Sequence, residues 1–308
     1  KQIEGNRDKL TGTMMMGSSD IGITLNSPMG NKSSFILSAR RSYLGLLFTA
    51  LKLPFLPTYN DFQYKHTIRF NKKNTLNIIG LGAIDDFELN ESVNDGETDP
   101  EVIERNLYTL NNLPINTQWN YTIGANWTHF SDKSFQNIVV SRNELNNKSV
   151  KYQENIEIPE NLNLQYESRE TENKFRFEHT YRNKGWKLNV GTGVQNVQYF
   201  NSTFSKTVIN GSVQTIDFTS NLSFEKFELF GQISKSVLEN RLSLSFGVRT
   251  DFNNYSAEMG NPLDQISPRF SASYSLNTKW NANFNVGRYY QLPAYTVMGY
   301  RNNAGDLV

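Results

Sequence analysis

The chain has 308 residues, 37% of them hydrophobic and 13% aromatic, with a mean hydropathy of -0.55. It is too polar for a helical membrane protein and too aromatic for a disordered chain. Lys plus Arg number 31 against 30 Asp plus Glu, without the basic excess of a nucleic-acid binder, and zero cysteines exclude a disulfide scaffold and thiolate chemistry.

The opening KQIEGNRDKL has neither the charged head nor the apolar core of a signal peptide. In SSFILSARRSYL (Ser33 to Leu44), Arg40 falls on one side with Ser34, Ser38 and Ser42, and Arg41 on the other with Tyr43. YLGLLFTALKLPFLPTY (Tyr43 to Tyr59) is the most apolar stretch. Two prolines and a lysine interrupt it, and it falls short of the roughly 20 apolar residues of a spanning helix, so a loop with a short helix is expected.

From there period-2 alternation dominates. Phe62, Tyr64, His66, Ile68 and Phe70 alternate with Asp61, Gln63, Lys65, Thr67 and Arg69. INTQWNYTIGANWTHF (Ile115 to Phe130) sets Ile115, Trp119, Tyr121, Ile123 and Trp127 against Asn116, Gln118, Asn120, Thr122 and Asn126. Successive side chains of a strand point to opposite faces, so this is one strand of about 16 residues, well above the usual 5 to 6. Phe175, Phe177, His179 and Tyr181 alternate with Arg176, Glu178 and Arg182; Leu242 to Asn253 and Phe270 to Leu276 repeat the pattern. The expected total is about 13 strands, with weaker patterns at Leu76 to Phe87 and Phe135 to Val140.

Connections alternate in length. Short turns stand at NKKN (Asn71 to Asn74), SDKS (Ser131 to Ser134), NKG (Asn183 to Gly185), LEN (Leu238 to Asn240) and NTK (Asn277 to Lys279). Long polar excursions follow Phe87, Arg142 and Phe200. That layout predicts an all-β, transmembrane antiparallel β-barrel with short turns on one rim and long loops on the other. Trp119 and Trp127, eight positions apart, stand about 20 Å apart along the membrane normal and mark the two edges of an apolar band about 25 Å tall, with Ile123 between them and Thr122 facing water. Tyr43, Tyr181 and Trp186 complete the expected interface girdle.

IEGNRDKLTG at the start, SSFILSARRSYL, YNDFQYKHTIRFNKKNTLNIIGLGAIDDF (Tyr59 to Phe87), SPRFSASYSL (Ser267 to Leu276) and NVGRYYQLPAY (Asn285 to Tyr295) resemble TonB-dependent outer-membrane receptors. The resemblance runs along most of the chain. It implies a barrel of 22 strands with an N-terminal plug, so residues 1–308 are expected to be a partial barrel: Lys1 starts where plug passes into first strand, Val308 falls in an extracellular loop, and the plug and the last strands are not present. It also implies active import across the Gram-negative outer membrane of a scarce ligand (siderophore, cofactor, glycan or peptide) by a transporter, not an enzyme. The implied partners are outer-membrane lipid, the protein's own plug domain, a TonB-type energy-coupling protein and, in some members, a surface lipoprotein. No cofactor and no nucleic acid are expected.

Within that frame Arg40, Lys65, Arg69, Arg176, Glu178, Arg182, Arg249 and Asp251 project into the lumen as candidate plug contacts. The three histidines, His66, His129 and His179, share the lipid-facing alternation and read as interface residues rather than metal ligands. NDGETDP (Asn94 to Pro100) lacks the spacing of a dedicated calcium loop. Gly80 and Gly82 form no phosphate cradle, and the serines lack a discernible triad. Two other readings stay open: a passive porin-like channel complete in itself, and a soluble β-sandwich with Trp119 and Trp127 in its core.

Overall fold

A computed structural model describes residues 4–209, 211–302 and 305–307. The expectations attached to Lys1 and Val308 lie outside these residues. The described chain is one antiparallel sheet of 13 strands whose spatial order is the sequence order, with β1 and β13 at its two edges. The strands are β1 (Thr11–Met16), β2 (Asp20–Pro28), β3 (Ser33–Ser42), β4 (Phe55–Arg69), β5 (Asn74–Leu89), β6 (Ile115–Phe130), β7 (Ser134–Tyr152), β8 (Leu162–Asn183), β9 (Trp186–Ile209), β10 (Ser212–Val237), β11 (Leu242–Asn253), β12 (Ser267–Ser275) and β13 (Asn281–Gly287). Three short helices accompany them: α1 (Leu44–Ala50), α2 (Pro100–Asn112) and α3 (Tyr295–Met298). Among the described residues no helix is long and apolar enough to cross a membrane.

Register carries each apolar row to the next strand. Leu25 faces Leu37, Leu37 faces Tyr64, Ile68 faces Leu76 and Leu76 faces Trp127. Trp127 faces Ile138, Ile138 faces Phe177, and further on Ile233 pairs with both Leu188 and Phe246. The resulting belt is not covered by protein: Ile23, Leu37, Phe62, Ile123, Val140, Phe175, Leu229 and Phe246 are each between 43% and 54% exposed. Among the described residues no second sheet packs against this one, and Trp119 is 36% exposed, which removes the sandwich reading. An apolar belt of this extent, wrapped round a sheet whose other face is polar, is stable against lipid and not against water.

The short turns explain themselves locally. Asn71 Oδ1 accepts from the backbone N–H groups of Lys73 and Asn74, and Asn277 Oδ1 does the same for Lys279 and Trp280. The β8–β9 hairpin turns on Lys184 and Gly185, both at positive φ (47° and 77°), which twists in the sense the flanking strands need. Two of the three expected long excursions are corrected. Residues 143–152 continue β7, and residues 201–209 and 212–221 are the upper parts of β9 and β10, paired up to Ile209 against Ser212 rather than forming a loop. The cause is physical: β10, at 26 residues, extends about 65 Å along the barrel axis at roughly 3.3 Å per residue and a tilt near 40°, far beyond an apolar band of about 25 Å. Above the band both faces are wet, so the amphipathic alternation that marks a strand disappears.

Candidate functional site

The inner face of β8 to β11 carries a ladder of paired charges. Glu228 on β10 sits at its centre, only 6% exposed. Arg249 Nη2 donates to Glu228 Oε2 (2.6 Å) and to Asp251 Oδ1 (2.6 Å), and Arg176 lies 2.6 Å from Glu178 and 3.5 Å from Glu228. A carboxylate taken out of water is tolerable only when so paired. The sequence makes room for it with two glycines on β9. A Cβ on Gly193 would lie 2.5 Å from Glu228 Oε1, and one on Gly191 would lie 2.5 Å from the Phe230 ring. Only bare backbone lets both side chains lie across the strand, and Arg176 then stacks 5.2 Å over Phe230.

Higher on the same wall the polar ladder gives way to a hydrophobic cluster. Val197 and Tyr199 of β9 and Leu222 and Phe224 of β10 are buried under Tyr295 and Met298, brought there by the segment after β13. Gly299 permits the contact, since a Cβ there would sit 2.9 Å from the Tyr199 ring. Tyr255 donates to the Met298 carbonyl (2.8 Å) and clamps α3 in place. The Tyr295 hydroxyl accepts from Lys226 Nζ (2.6 Å) and donates to Glu172, which is also paired with Lys174. Burial, with the Glu172 carboxylate next in weight, pushes the Tyr295 phenol well above its ordinary pKa, so it stays a donor throughout the physiological range. Between ladder and cluster lies a cleft of about 430 Å³, lined by Lys226, Glu228, Arg249, Asp251, Gln195 and Tyr290.

Arg176, Glu178, Arg249 and Asp251 are thus brought together through Glu228, and the other expected lumen residues stand apart from them. Arg40 pairs with Asp61 and lies 3.6 Å from Asp20, its guanidinium 5.1 Å above the Tyr59 ring. Arg69 donates to Glu4 (2.5 Å). Lys65 lies on the same row of β4 as Asp61 and Arg69, and Arg182 stacks 5.8 Å over Phe135 near the short-turn rim. Of the expected girdle, Tyr181 (38%) and Trp186 (48%) are exposed near the short turns, with Lys235 Nζ 4.6 Å over the Trp186 ring. Trp127 is half-buried and stacks on His129, and Tyr43 caps α1 with its hydroxyl on the Gly17 carbonyl. Trp119 stacks with Tyr121 and pairs across β7 with Asn146, above the level at which the outward row turns polar.

His129 Nδ1 lies 2.8 Å from Asn74 Oδ1. In the NDGETDP loop the side-chain oxygens serve the local backbone and neighbouring side chains, Asn94 Oδ1 accepting from Asn106 and Glu97 pairing with Lys52. Asp99 caps α2 by accepting from the Glu101 N–H (2.9 Å), and Glu97 accepts from Thr98 and Asp99, bonds that hold its carboxyl below the usual range. Among the described residues no group of three His, Cys, Asp or Glu side chains could hold a metal ion.

Sequence reasoning missed Glu172, Lys226, Glu228 and Tyr295. On β10 the inward row Leu222, Phe224, Lys226, Glu228 and Phe230 is as mixed as the outward row Phe227, Leu229, Gly231 and Ile233 is apolar only from its middle down, so period 2 alone does not choose a face. Tyr295 belongs to the inner wall only through a chain reversal after β13.

The model for "TonB dependent receptor-like, beta-barrel" matches residues 58–307. No curated protein sequence matches the chain. Among solved structures, it is similar to the copper transporter OprC at 11% identity and a TM-score of 0.59, covering 89% of this chain and 44% of that one. It is similar to a variant of the ferric enterobactin receptor PfeA from Pseudomonas aeruginosa (13%, TM-score 0.61, 96% of this chain and 44% of that one). A third likeness is to FpvAI in its complex with pyocin S2 (11%, TM-score 0.63, 90% and 42%). The chain therefore spans less than half the length of these proteins. With 250 residues matched by the family model and its 13 strands in one antiparallel sheet ordered as in the sequence, the chain belongs to the TonB-dependent receptor-like β-barrel family and is a partial barrel of the Gram-negative outer membrane.

Proposed function

We propose that this chain is barrel wall of a TonB-dependent importer that takes up a scarce ligand from outside the cell, driven through a plug by a TonB-type coupling protein. The observation that carries the reading is the inner face. Arg40, Lys65, Arg69, Arg176, Glu178, Arg182, Arg249 and Asp251 line one side of a single sheet, and in the ladder each cation already has its carboxylate. A wall of this kind offers a movable plug many weak, replaceable polar contacts instead of one strong apolar seat, and so lets it shift without exposing greasy surface. Residues 1–308 are then one part of the barrel domain, and further strands close it, because open sheet edges are not stable in hydrocarbon.

The ligand enters past the segment after β13. Tyr289, Tyr290 and Tyr300 are 65%, 37% and 43% exposed there, and Arg269 lies 4.6 Å over the Tyr289 ring. Such a surface suits a polar ligand with flat or aromatic parts. Siderophore, cofactor, glycan and peptide all fit that description.

The test is conductance of the full-length receptor in planar bilayers, together with growth of a deletion strain on limiting iron, cofactor or glycan. An importer holds no steady open conductance, and growth on one nutrient depends on both receptor and coupling protein. A large constant conductance, with uptake indifferent to the coupling protein, would establish a passive channel instead.

A further inference from the structure

Strand β10 outruns its neighbour. Its ladder with β9 is unbroken up to Ile209 against Ser212, whereas its ladder with β11 begins only at Lys226 against Asn253. One contact extends that second ladder: the Glu225 N–H donates to Asn254 Oδ1 (2.7 Å), and the Glu225 carbonyl accepts from the Asn254 N–H (3.2 Å). Both backbone groups of Glu225 therefore point to the β11 side. Residues two apart in an antiparallel ladder point the same way, so Val213, Thr215, Asp217, Thr219, Asn221 and Ser223 direct their N–H and C=O groups there too. Among the described residues nothing bonds to them. Phe224 stands thirteen positions above Val237, about 33 Å along the membrane normal and beyond an apolar band of about 25 Å, so this edge lies outside the membrane.

A long edge is normally guarded by Lys, Pro, a bulge or an overlying segment. Residues Ser212 to Phe224 (SVQTIDFTSNLSF) hold no Lys, Arg or Pro, and their register with β9 has no bulge. Their one charge, Asp217, is exposed and has no ion pair among the described residues. On the inner side Phe218 stands edge-on to the Tyr300 ring, 5.5 Å between centroids, and Tyr300 is 43% exposed. The edge thus offers backbone partners at alternate residues, an aromatic pair on one side and an acid among hydroxyls on the other. A second copy of the chain does not fit it. Two barrels in one membrane stand the same way up, and strands tilted near 40° in each cross instead of pairing.

We propose that the upper edge of β10 is a strand-addition site for an extended segment of an extracellular polypeptide, with apolar side chains alternating toward Phe218 and Tyr300 and a Lys or Arg toward Asp217. Main-chain hydrogen bonds supply the affinity, and the aromatic and acidic sides supply the selection. The site stands above the membrane and holds whether or not the barrel imports anything.

The probe is a peptide blocked at both ends with the sequence of Phe200 to Ile209 (FNSTFSKTVI), a strand that already pairs with the other edge of β10 and carries one Lys. It is added to the full-length receptor in detergent, with binding read by fluorescence anisotropy and position by residue-resolved amide exchange. In the free receptor the amides of Thr215, Asp217, Thr219, Asn221 and Ser223 should exchange fast. The peptide should slow them, while Gln214, Ile216 and Phe218, already paired with β9, change little. N-methylation of one alternate set of peptide residues should weaken binding by about tenfold or more, and of the other set should not. Thr219→Pro removes an edge donor and no bond to β9, and Asp217→Lys guards the edge without altering the backbone, so the second variant decides should the first not fold. Each should weaken binding by about tenfold. Slow exchange at the edge before peptide is added would show that another part of the receptor covers it, and would overturn the proposal. So would absence of binding at millimolar peptide, indifference to both N-methylation patterns, or undiminished binding by Asp217→Lys.

Discussion

The lower ten residues of each strand and the upper reaches of β7 to β10 are the same sheet in different solvents. In the lower region one face touches hydrocarbon, so Leu188, Ile233 and Phe246 line up across three strands and remain exposed (40%, 44% and 54%). In the upper region both faces meet water or other protein, and outward positions hold Glu144, Lys148, Glu167 and Arg169. Backbone pairing is continuous through both: β9 and β10 remain in register from Trp186 against Lys235 to Ile209 against Ser212. Hydrogen bonding therefore sets how long the strands are, and solvent sets what their side chains are.

The largest test of this contrast is a charge placed on the outer face at two heights. Ile233 lies five positions above the β10–β11 turn, near mid-band, so Ile233→Arg should cost about 2 to 4 kcal/mol of folding free energy in bilayers. Ile123 pairs with Arg142, where the outward row of β7 passes from Ile138 and Val140 to charge, so Ile123→Arg should cost less, toward the about 0 to 1 kcal/mol of an interface position. The mid-membrane position expected for Ile123 predicts equal costs instead. Urea titration of folding into vesicles reads both, and equal costs would remove the boundary drawn at Arg142.

A smaller effect is expected on the inner wall. Glu228→Ala leaves Arg176 and Arg249 without their shared carboxylate, at a cost of about 2 to 3 kcal/mol, below the 3 to 5 of a fully buried pair because both arginines are partly exposed. Adding Arg249→Met to that variant should recover part of the loss. Strict additivity of the two would show that the ladder is not a coupled unit.

The smallest effect is at the short-turn rim. The hydrogen bond from Arg69 holds the Glu4 carboxyl below its ordinary pKa. Its contribution is therefore full above the unfolded value and disappears as pH falls through the depressed folded one. Amide exchange of residues 4–9 should rise on acidification below that range in the wild type and be high at all pH values in Glu4→Gln. Exchange in the wild type that ignores acid would show that the pair does not tether this segment.

This contrast also explains how much was legible in the sequence. Strand β6 coincides from Ile115 to Phe130 with its alternation because Ile115, Trp119, Tyr121, Ile123 and Trp127 share one face and Asn116, Gln118, Asn120, Thr122 and Asn126 the other along its whole length. The inward rows of β4 and β8 were legible for the same reason, and with them Lys65, Arg69, Arg176, Glu178 and Arg182. Residues 143–152 and 201–221 were not, since Asn, Ser, Thr and Lys on both faces read as loop whether or not the backbone is paired. Glu228 was hidden because its burial depends on two glycines of the neighbouring strand. Tyr295 was hidden because nothing local records that the chain after β13 turns back against β9 and β10.

The most direct measurement is collision of spin labels with oxygen and with a polar nickel chelate, recorded along β10 of the full-length receptor in bilayers. Labels at Leu229 and Ile233 should favour oxygen, whereas labels at Asn221 and Ser223, on the same outward row but higher, and at Gln232, on the inner row, should favour the chelate or be shielded from both. A single accessibility along the outward row from Asn221 to Ile233, or oxygen preference at Gln232, would contradict the division of this sheet between lipid and water.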